Sequence, residues 1–342
     1  MPGKLSTERS SRKKLAVLRT LREANKPVTS AEITRKLASE GYEVSERTVR
    51  LYLQALQEQG LVERVGRGLR RITRRGEEEL QQAPAFEKVG FLAARIDQMT
   101  YRMSFSLEKR TGTVVANLTF IKPDDLRGAL PHICKVFEKG YAMGCLAGIF
   151  GPGELVAENI VPQGHCAVAT VCSVTLNGVL LDHGIPSHSR FGGLLEVVDG
   201  KPRRFVEIIT YNGTSLDPLE IFIRSGMTDY RGAVATGTGR IGVGFREFPA
   251  ESREHVSVLA EQLRRVGLGG FMALGWPGRP LVDVPVSEGR FGAIVIGGLN
   301  PAAILEELGI RVQSRALAGL LPYEQLVPYH ELEAQAGRLG LL

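Results

Sequence analysis

The sequence predicts an α+β protein: an N-terminal winged helix-turn-helix followed by an internally duplicated α/β domain with pseudo-two-fold symmetry. Three observations lead there. The basic excess is confined to the first quarter of the 342 residues. The apolar spacing in that quarter reads helix, helix, turn, helix, hairpin. The remaining chain repeats its motifs at an offset of about 125 residues.

Residues 1–80 hold 18 Lys and Arg against 11 Asp and Glu, whereas the rest holds 25 against 26. Such asymmetry suggests a small nucleic-acid-binding module joined to a neutral domain with another task. A chain of this length suits about two domains with real cores. No apolar run approaches the roughly 20 residues of a membrane helix, so no membrane partner is expected. The N-terminal "MPGKLSTERSSRKK" lacks the apolar stretch of a secretory signal. Four Cys without a CxxC fit reduced thiols and a cytoplasmic location.

The first domain is expected over 1–80. Ser6 to Glu23 carries Leu15, Leu18 and Leu21 at helical spacing. "NKPVTS" breaks that helix, and Thr29 with Glu32 forms a capping box for a second one, with Ile33 and Leu37 inward. "SEGYEVS" is a turn. Ser45 caps a third helix, "ERTVRLYLQALQEQ", closed by Gly60. Its buried stripe is Val49, Leu53 and Leu56, which leaves Arg47, Thr48, Arg50 and Gln54 as candidates to meet DNA. Outward Arg and Gln on such a helix suit base edges in a major groove. "LVERVGRGLRRITRRG" reads as a hairpin around "GRG", with Arg67, Arg70 and Arg71 as candidate phosphate contacts, followed by Arg74 and Arg75. Winged helices also mediate protein contacts, and charge runs are often only solvated faces. "RRGEEELQQAPA" reads as a short helix and linker, with a boundary near Pro84.

The second domain is expected over 85–335, in halves of about 98–197 and 226–325. Val161-Pro162 and Leu176-Asn177 recur as Val284-Pro285 and Leu299-Asn300, and Gly184-Ile185 recurs as Gly309-Ile310. Each half reads as strand, helix, strand, strand, helix. The expected strands are Val114–Ile121, Met143–Phe150 and Ala167–Thr175, then Arg240–Phe248, Gly270–Leu274 and Ala293–Gly297. A hairpin in "EVVDGKPRRFVEIITYNG" and a helix starting at Asp217-Pro218 join the halves.

The winged helix together with "HGIPSHSRFGGLLE", "YNGTSLDPLEIFI", "GTGRIGVGFREFP" and "VIGGLNPAAILEELGI" resembles the NrpR-type repressors of nitrogen assimilation. The resemblance runs over roughly 10–335. It implies a homodimeric repressor that binds palindromic operator DNA and releases it when 2-oxoglutarate rises, with the duplicated domain as sensor. No other cofactor is implied.

Other chemistry is weighed against this. "GTGRIG" (Gly237 to Gly242) matches GxGxxG, but the strand-like "IGVGFREF" follows where a dinucleotide site needs a helix. A glycine turn is the simpler reading. His132, Cys134, Cys145, His165, Cys166 and Cys172 lack zinc-site spacing, so buried thiols and no metal are expected. His183, Ser187, His188 and Ser189 imitate a hydrolase set, but no GxSxG elbow accompanies them. No catalytic residue is assigned.

"GIPSHSR" is echoed by "GIRVQSR", so Ser189-Arg190 matches Ser314-Arg315. Two Arg facing one cleft would suit a dicarboxylate such as 2-oxoglutarate. Alternatively, each caps a helix or pairs with a Glu. Thr214 and Ser215 precede a helix, and their amides would also receive an anion. The candidate effector residues are therefore Ser189, Arg190, Thr214, Ser215, Ser314 and Arg315. The competing function is an enzyme with a fused DNA-binding domain that regulates its own expression. A nucleoid or RNA-binding role is disfavoured by the neutral second domain.

Overall fold

In the computed structural model the described residues are 3–40, 42, 44–82 and 91–342. The chain divides into two compact units, residues 1–88 and 89–342. Pro84, Gly41 and Glu43 lie outside the described residues.

The first unit is a winged helix. Helix α1 (Gly3–Ala24), strand β1 (Val28–Thr29), α2 (Ser30–Ser39) and α3 (Glu46–Glu58) precede the hairpin β2 (Val62–Arg64) and β3 (Leu69–Ile72). Helix α4 (Arg74–Gln82) follows. Leu18, Leu21, Ile33, Leu37, Val49, Leu53, Leu56 and Ile72 form one buried cluster. Thr29 and Glu32 complete the capping box reciprocally, and the Ser45 hydroxyl accepts from the Thr48 amide. The sequence pattern treats Val28-Thr29 as a breaker. Instead they pair with Arg70 and Leu69, which gives a three-stranded sheet in the order β1-β3-β2.

The second unit contains two five-stranded antiparallel sheets. It opens with α5 (Phe91–Arg102) and β4 (Thr113–Ile121), α6 (Pro123–Glu138) and β5 (Leu146–Phe150). The small hairpin β6 (Leu155–Val156) and β7 (Asn159–Ile160) leads to β8 (Cys166–Val171) and α7 (Val174–Asp182). The long hairpin β9 (His188–Val198) and β10 (Lys201–Thr210) is followed by a 3-10 turn (Tyr211–Gly213), α8 (Pro218–Arg224) and α9 (Tyr230–Thr236). Then come β11 (Gly239–Pro249), α10 (Arg253–Arg265), β12 (Phe271–Leu274) and β13 (Arg290–Ile296). The chain closes with α11 (Asn300–Glu307), β14 (Gln313–Pro322), β15 (Val327–Pro328) and α12 (Leu332–Arg338). One sheet has the order β10-β9-β11-β13-β12, the other β14-β4-β8-β5-β15. Apolar side chains from both sheets and the helices between them share two large buried clusters.

Three local expectations need correction. The strand expected from Met143 starts only at Leu146, because Gly144 turns at φ +71°. A Cβ there would stand 2.1 Å from the Gly267 carbonyl oxygen, so the close backbone approach requires glycine. The strand expected to reach Thr175 ends at Val171; Thr175 lies in α7 and bonds the backbone of Val115. Finally, Ser189 and Arg190 do not lie in a loop at a helix end. They belong to β9, which sits between β10 and β11. Its glycines make room for neighbours: a Cβ on Gly193 would stand 2.6 Å from the Phe205 ring.

Candidate functional site

The outward face of α3 is built by its own burial pattern. Val49, Leu53 and Leu56 point inward, which leaves Arg47, Arg50 and Gln54 exposed, one turn apart. Arg50 donates to Glu46 Oε1 at 2.6 Å and to Ser30 Oγ at 3.3 Å. Gln54 donates to Glu58 Oε1 at 3.2 Å, and the Thr48 hydroxyl lies 2.9 Å from that of Ser45. Arg47 makes no hydrogen bond or ion pair among the described residues. On the same face Leu51 is 60% exposed. The sequence reading missed it, although an apolar residue one turn after Arg47 and away from the buried stripe was the available signal. Were α3 to enter a major groove, an exposed Leu there would suit a thymine methyl.

The hairpin carries the second basic group. Arg67 is exposed at its tip, and Arg71 pairs with Glu63 at 2.6 Å. Arg70 is half-buried, with Nη1 donating to the Leu69 carbonyl and Nε lacking a partner. Arg74 pairs with Glu78 at 3.2 Å. These exposed pairs are weak and would yield readily to phosphate.

In the second unit the two Ser-Arg pairs stand on different sheets. Arg190 donates to Glu247 Oε1 at 2.7 Å and to the Pro285 carbonyl at 2.6 Å. Burial alone would raise the Glu247 carboxyl, but the Ser287 amide and hydroxyl, together with Arg190, outweigh it and hold it below the usual range. Arg190 also lies 5.5 Å from the Phe245 ring centroid. Arg315 instead donates to Asn159 Oδ1 at 3.1 Å and sits 5.5 Å from the Phe120 ring centroid. Ser314 shares a hydrogen bond of 3.1 Å with Thr119, and Ser189 accepts from Asn177 at 3.2 Å.

A cavity of about 690 Å³ opens beside Arg190, walled by Phe191, Phe205, Ile208, Asn212 and Pro285. His188 also lines it. The Thr214 hydroxyl donates to the Leu216 carbonyl and accepts from the Leu216 amide. The first turn of α8 is already capped by Asp217, which accepts from the Leu219 amide at 2.9 Å.

The remaining candidates are placed as follows. Gly237 ends α9 at φ +77° and leads into β11, so "GTGRIG" runs from helix to strand, opposite to a phosphate-binding turn. His183 Nδ1 lies 2.8 Å from the Val179 carbonyl, and its ring packs edge-on to His255. Among the described residues no His nitrogen is hydrogen-bonded to a Ser hydroxyl, and no three His, Cys, Asp or Glu converge as a metal site. Burial raises the Cys166 and Cys172 thiols to about 11 and about 12, which suppresses thiolate chemistry. No described helix is long and apolar enough to cross a membrane.

Comparison with known proteins agrees with this architecture. Residues 89–328 match the family model of NrpR regulatory domains NRD1 and 2, and residues 15–80 match that of the Ribonuclease R winged-helix domain. The chain is 34% identical over 315 residues to the global nitrogen regulator NrpRI of Methanosarcina mazei, covering 92% of this chain and 97% of that one. It is 30% identical over 317 residues to the global nitrogen regulator NrpR of Methanocaldococcus jannaschii, which it covers for only 54% of that length. A crystal structure of a nitrogen repressor-like protein from Methanococcus jannaschii superposes with a TM-score of 0.58 at 26% identity, over 71% of this chain and 98% of that one. A winged helix followed by a regulatory unit matched almost end to end leaves one assignment: the chain belongs to the NrpR family.

Proposed function

We propose that this protein is a transcriptional repressor of nitrogen-regulated genes. It binds operator DNA as a homodimer through residues 1–80 and leaves it when a small metabolite, 2-oxoglutarate, occupies the second unit. The carrying observation is the junction of two parts: a winged helix with Arg47, Arg50, Leu51 and Gln54 outward, and an NrpR regulatory domain over 89–328. The relatives' names as nitrogen regulators support the same reading. One recognition helix spans only a few base pairs, so two copies on successive half-sites are the economical arrangement. Effector binding then favours a dimer geometry in which the two helices miss those half-sites.

The regulatory unit is read as two repeats. Support comes from chain order. Strands β9 and β14 begin 125 residues apart, at His188 and Gln313. In each sheet three strands of one half (β4, β8, β5 or β11, β13, β12) are joined by the last strand of the other half.

The test is retention of DNA from the protein's own upstream region at modest salt, with 2-oxoglutarate titrated in. Retention that falls with 2-oxoglutarate is expected. Absence of specific retention removes the repressor reading, and retention indifferent to 2-oxoglutarate removes the effector alone.

A further inference from the structure

Arg246 lies within β11 and is 1% exposed, the largest of the fully buried side chains. Its Nε donates to Asn177 Oδ1 at 2.7 Å, and its Nη2 donates to Ser173 Oγ at 3.0 Å. The third nitrogen, Nη1, is buried without a hydrogen-bond partner. The ionisable groups acting on the guanidinium are Tyr211 and Cys172, neither of them a carboxylate. A guanidinium remains charged at any working pH, and a buried cation without a counter-charge is unfavourable.

The fold itself does not demand a cation at this point. Arg246 pairs with Ser189 of β9 and Ala293 of β13. The same register position in the other sheet is Thr119, paired with Ser314 of β14 and Val168 of β8. Thr119 is neutral, and its hydroxyl is satisfied by Ser314. The helix positions differ in part. At the offset of 123 residues that relates Leu176-Asn177 to Leu299-Asn300, Ser173 corresponds to Ile296, whereas Asn177 recurs as Asn300. The amide therefore recurs, while Arg246 and Ser173 have no polar match beyond the hydroxyl of Thr119.

Its surroundings suit an anion. Gly244 and Gly192 face each other across β11 and β9. A Cβ on Gly244 would stand 3.1 Å from Nη1 of Arg246 and 3.3 Å from the Tyr211 hydroxyl. Two donors thus converge above Gly244, while the ring of Pro218 packs over Gly192, 2.6 Å from where a Cβ would stand. Ser173, at the start of α7, makes no side-chain cap, so the positive end of that helix adds to the same field.

We propose that Arg246, with Ser173, Asn177 and Tyr211, receives a carboxylate of a small anionic effector. A carboxylate matches the guanidinium fork, supplies the missing charge, and ties α7 to β11. Recognition then rests on Arg246 rather than on Arg190 and Arg315, which both hold protein partners. This rests on the effector reading above, yet the two fail separately.

The test compares the full-length wild type with Arg246→Met and Arg246→Lys, by calorimetric titration and thermal melting. The probes are 2-oxoglutarate, succinate and inorganic phosphate. Wild type should bind and be stabilised by 2-oxoglutarate. Arg246→Met should melt no lower than wild type without probe, and lose more than about tenfold in affinity. Arg246→Lys, which keeps the charge and loses the fork, should also weaken binding about tenfold. If succinate or phosphate binds instead and Arg246→Met loses it, the site stands and 2-oxoglutarate falls. Equal affinity of wild type and Arg246→Met overturns the site, as does a wild type that binds none of the three. Should Arg246→Met fail to fold, unchanged affinity in Arg246→Lys overturns it as well.

Discussion

Asp217 shows how a single carboxyl serves a helix at an electrostatic cost. It is partly buried and caps α8 through the Leu219 amide. Burial, and next the charge of Glu220, raise its carboxyl from 3.8 to about 6, against the opposing amides of Leu219 and Glu220. Between about pH 4 and 6 the folded state therefore binds more proton than the unfolded state. Stability falls as pH rises through that window, since the ionised form is the disfavoured one when folded. Asp217→Asn removes this slope. The difference in melting temperature, wild type minus Asp217→Asn, should shrink between pH 4.5 and 6.5 by ~1 °C or more. A difference that stays constant across that range would reject the raised carboxyl.

At the scale of elements, the proposed DNA contacts of the winged helix divide into two kinds. Gln54 and Arg47 project from α3, the element proposed to read base edges, whereas Arg67 sits at the tip of the β2–β3 hairpin. Gln54→Ala and Arg47→Ala should each weaken operator binding by about 1–3 kcal/mol and relax preference at one base position. Arg67→Ala should weaken binding to all sequences alike and lower the salt slope by about 1. Fluorescence anisotropy against specific and scrambled duplexes, at several salt concentrations, measures both. Identical behaviour of the three variants would contradict the division.

At the scale of the whole molecule, the regulatory unit is interlocked by its strand order. Strand β9 pairs with β11 over most of its length, and β14 pairs with β4. A fragment limited to residues 98–197 would leave β9 without that partner and expose Phe191, Leu194, Leu195 and Val197, all buried in the intact chain. Such a fragment should be unfolded or aggregated when expressed alone. A fragment of 89–342 should melt cooperatively. Circular dichroism and denaturant titration distinguish the two, and a cooperatively folded monomeric 98–197 fragment would refute the interlock.

Much of this was legible in one dimension. Capping residues Thr29 and Ser45, the inward stripe of α3 and the glycine after it specify the winged helix locally, because helix ends and apolar periodicity are short-range signals. Charge asymmetry located the basic module, and the recurrent "GI…SR" falls at the starts of β9 and β14. What the sequence could not supply was the pairing of distant strands. Ser189 and Arg190 read as loop residues because Gly, Pro and His crowd around them, whereas the tertiary structure makes them part of an inner strand. Arg190 meets Glu247 across 57 residues, and Arg246 meets Asn177 across 69. In "GFREF" Arg246 is one more polar residue in an alternating strand. Only the fold buries it, because Asn177 and Ser173, distant in the chain, are brought onto its guanidinium. Local physics fixed the helices, caps and basic face. Long-range strand pairing decided that Arg190 meets a carboxylate and that Arg246 meets only an amide and a hydroxyl.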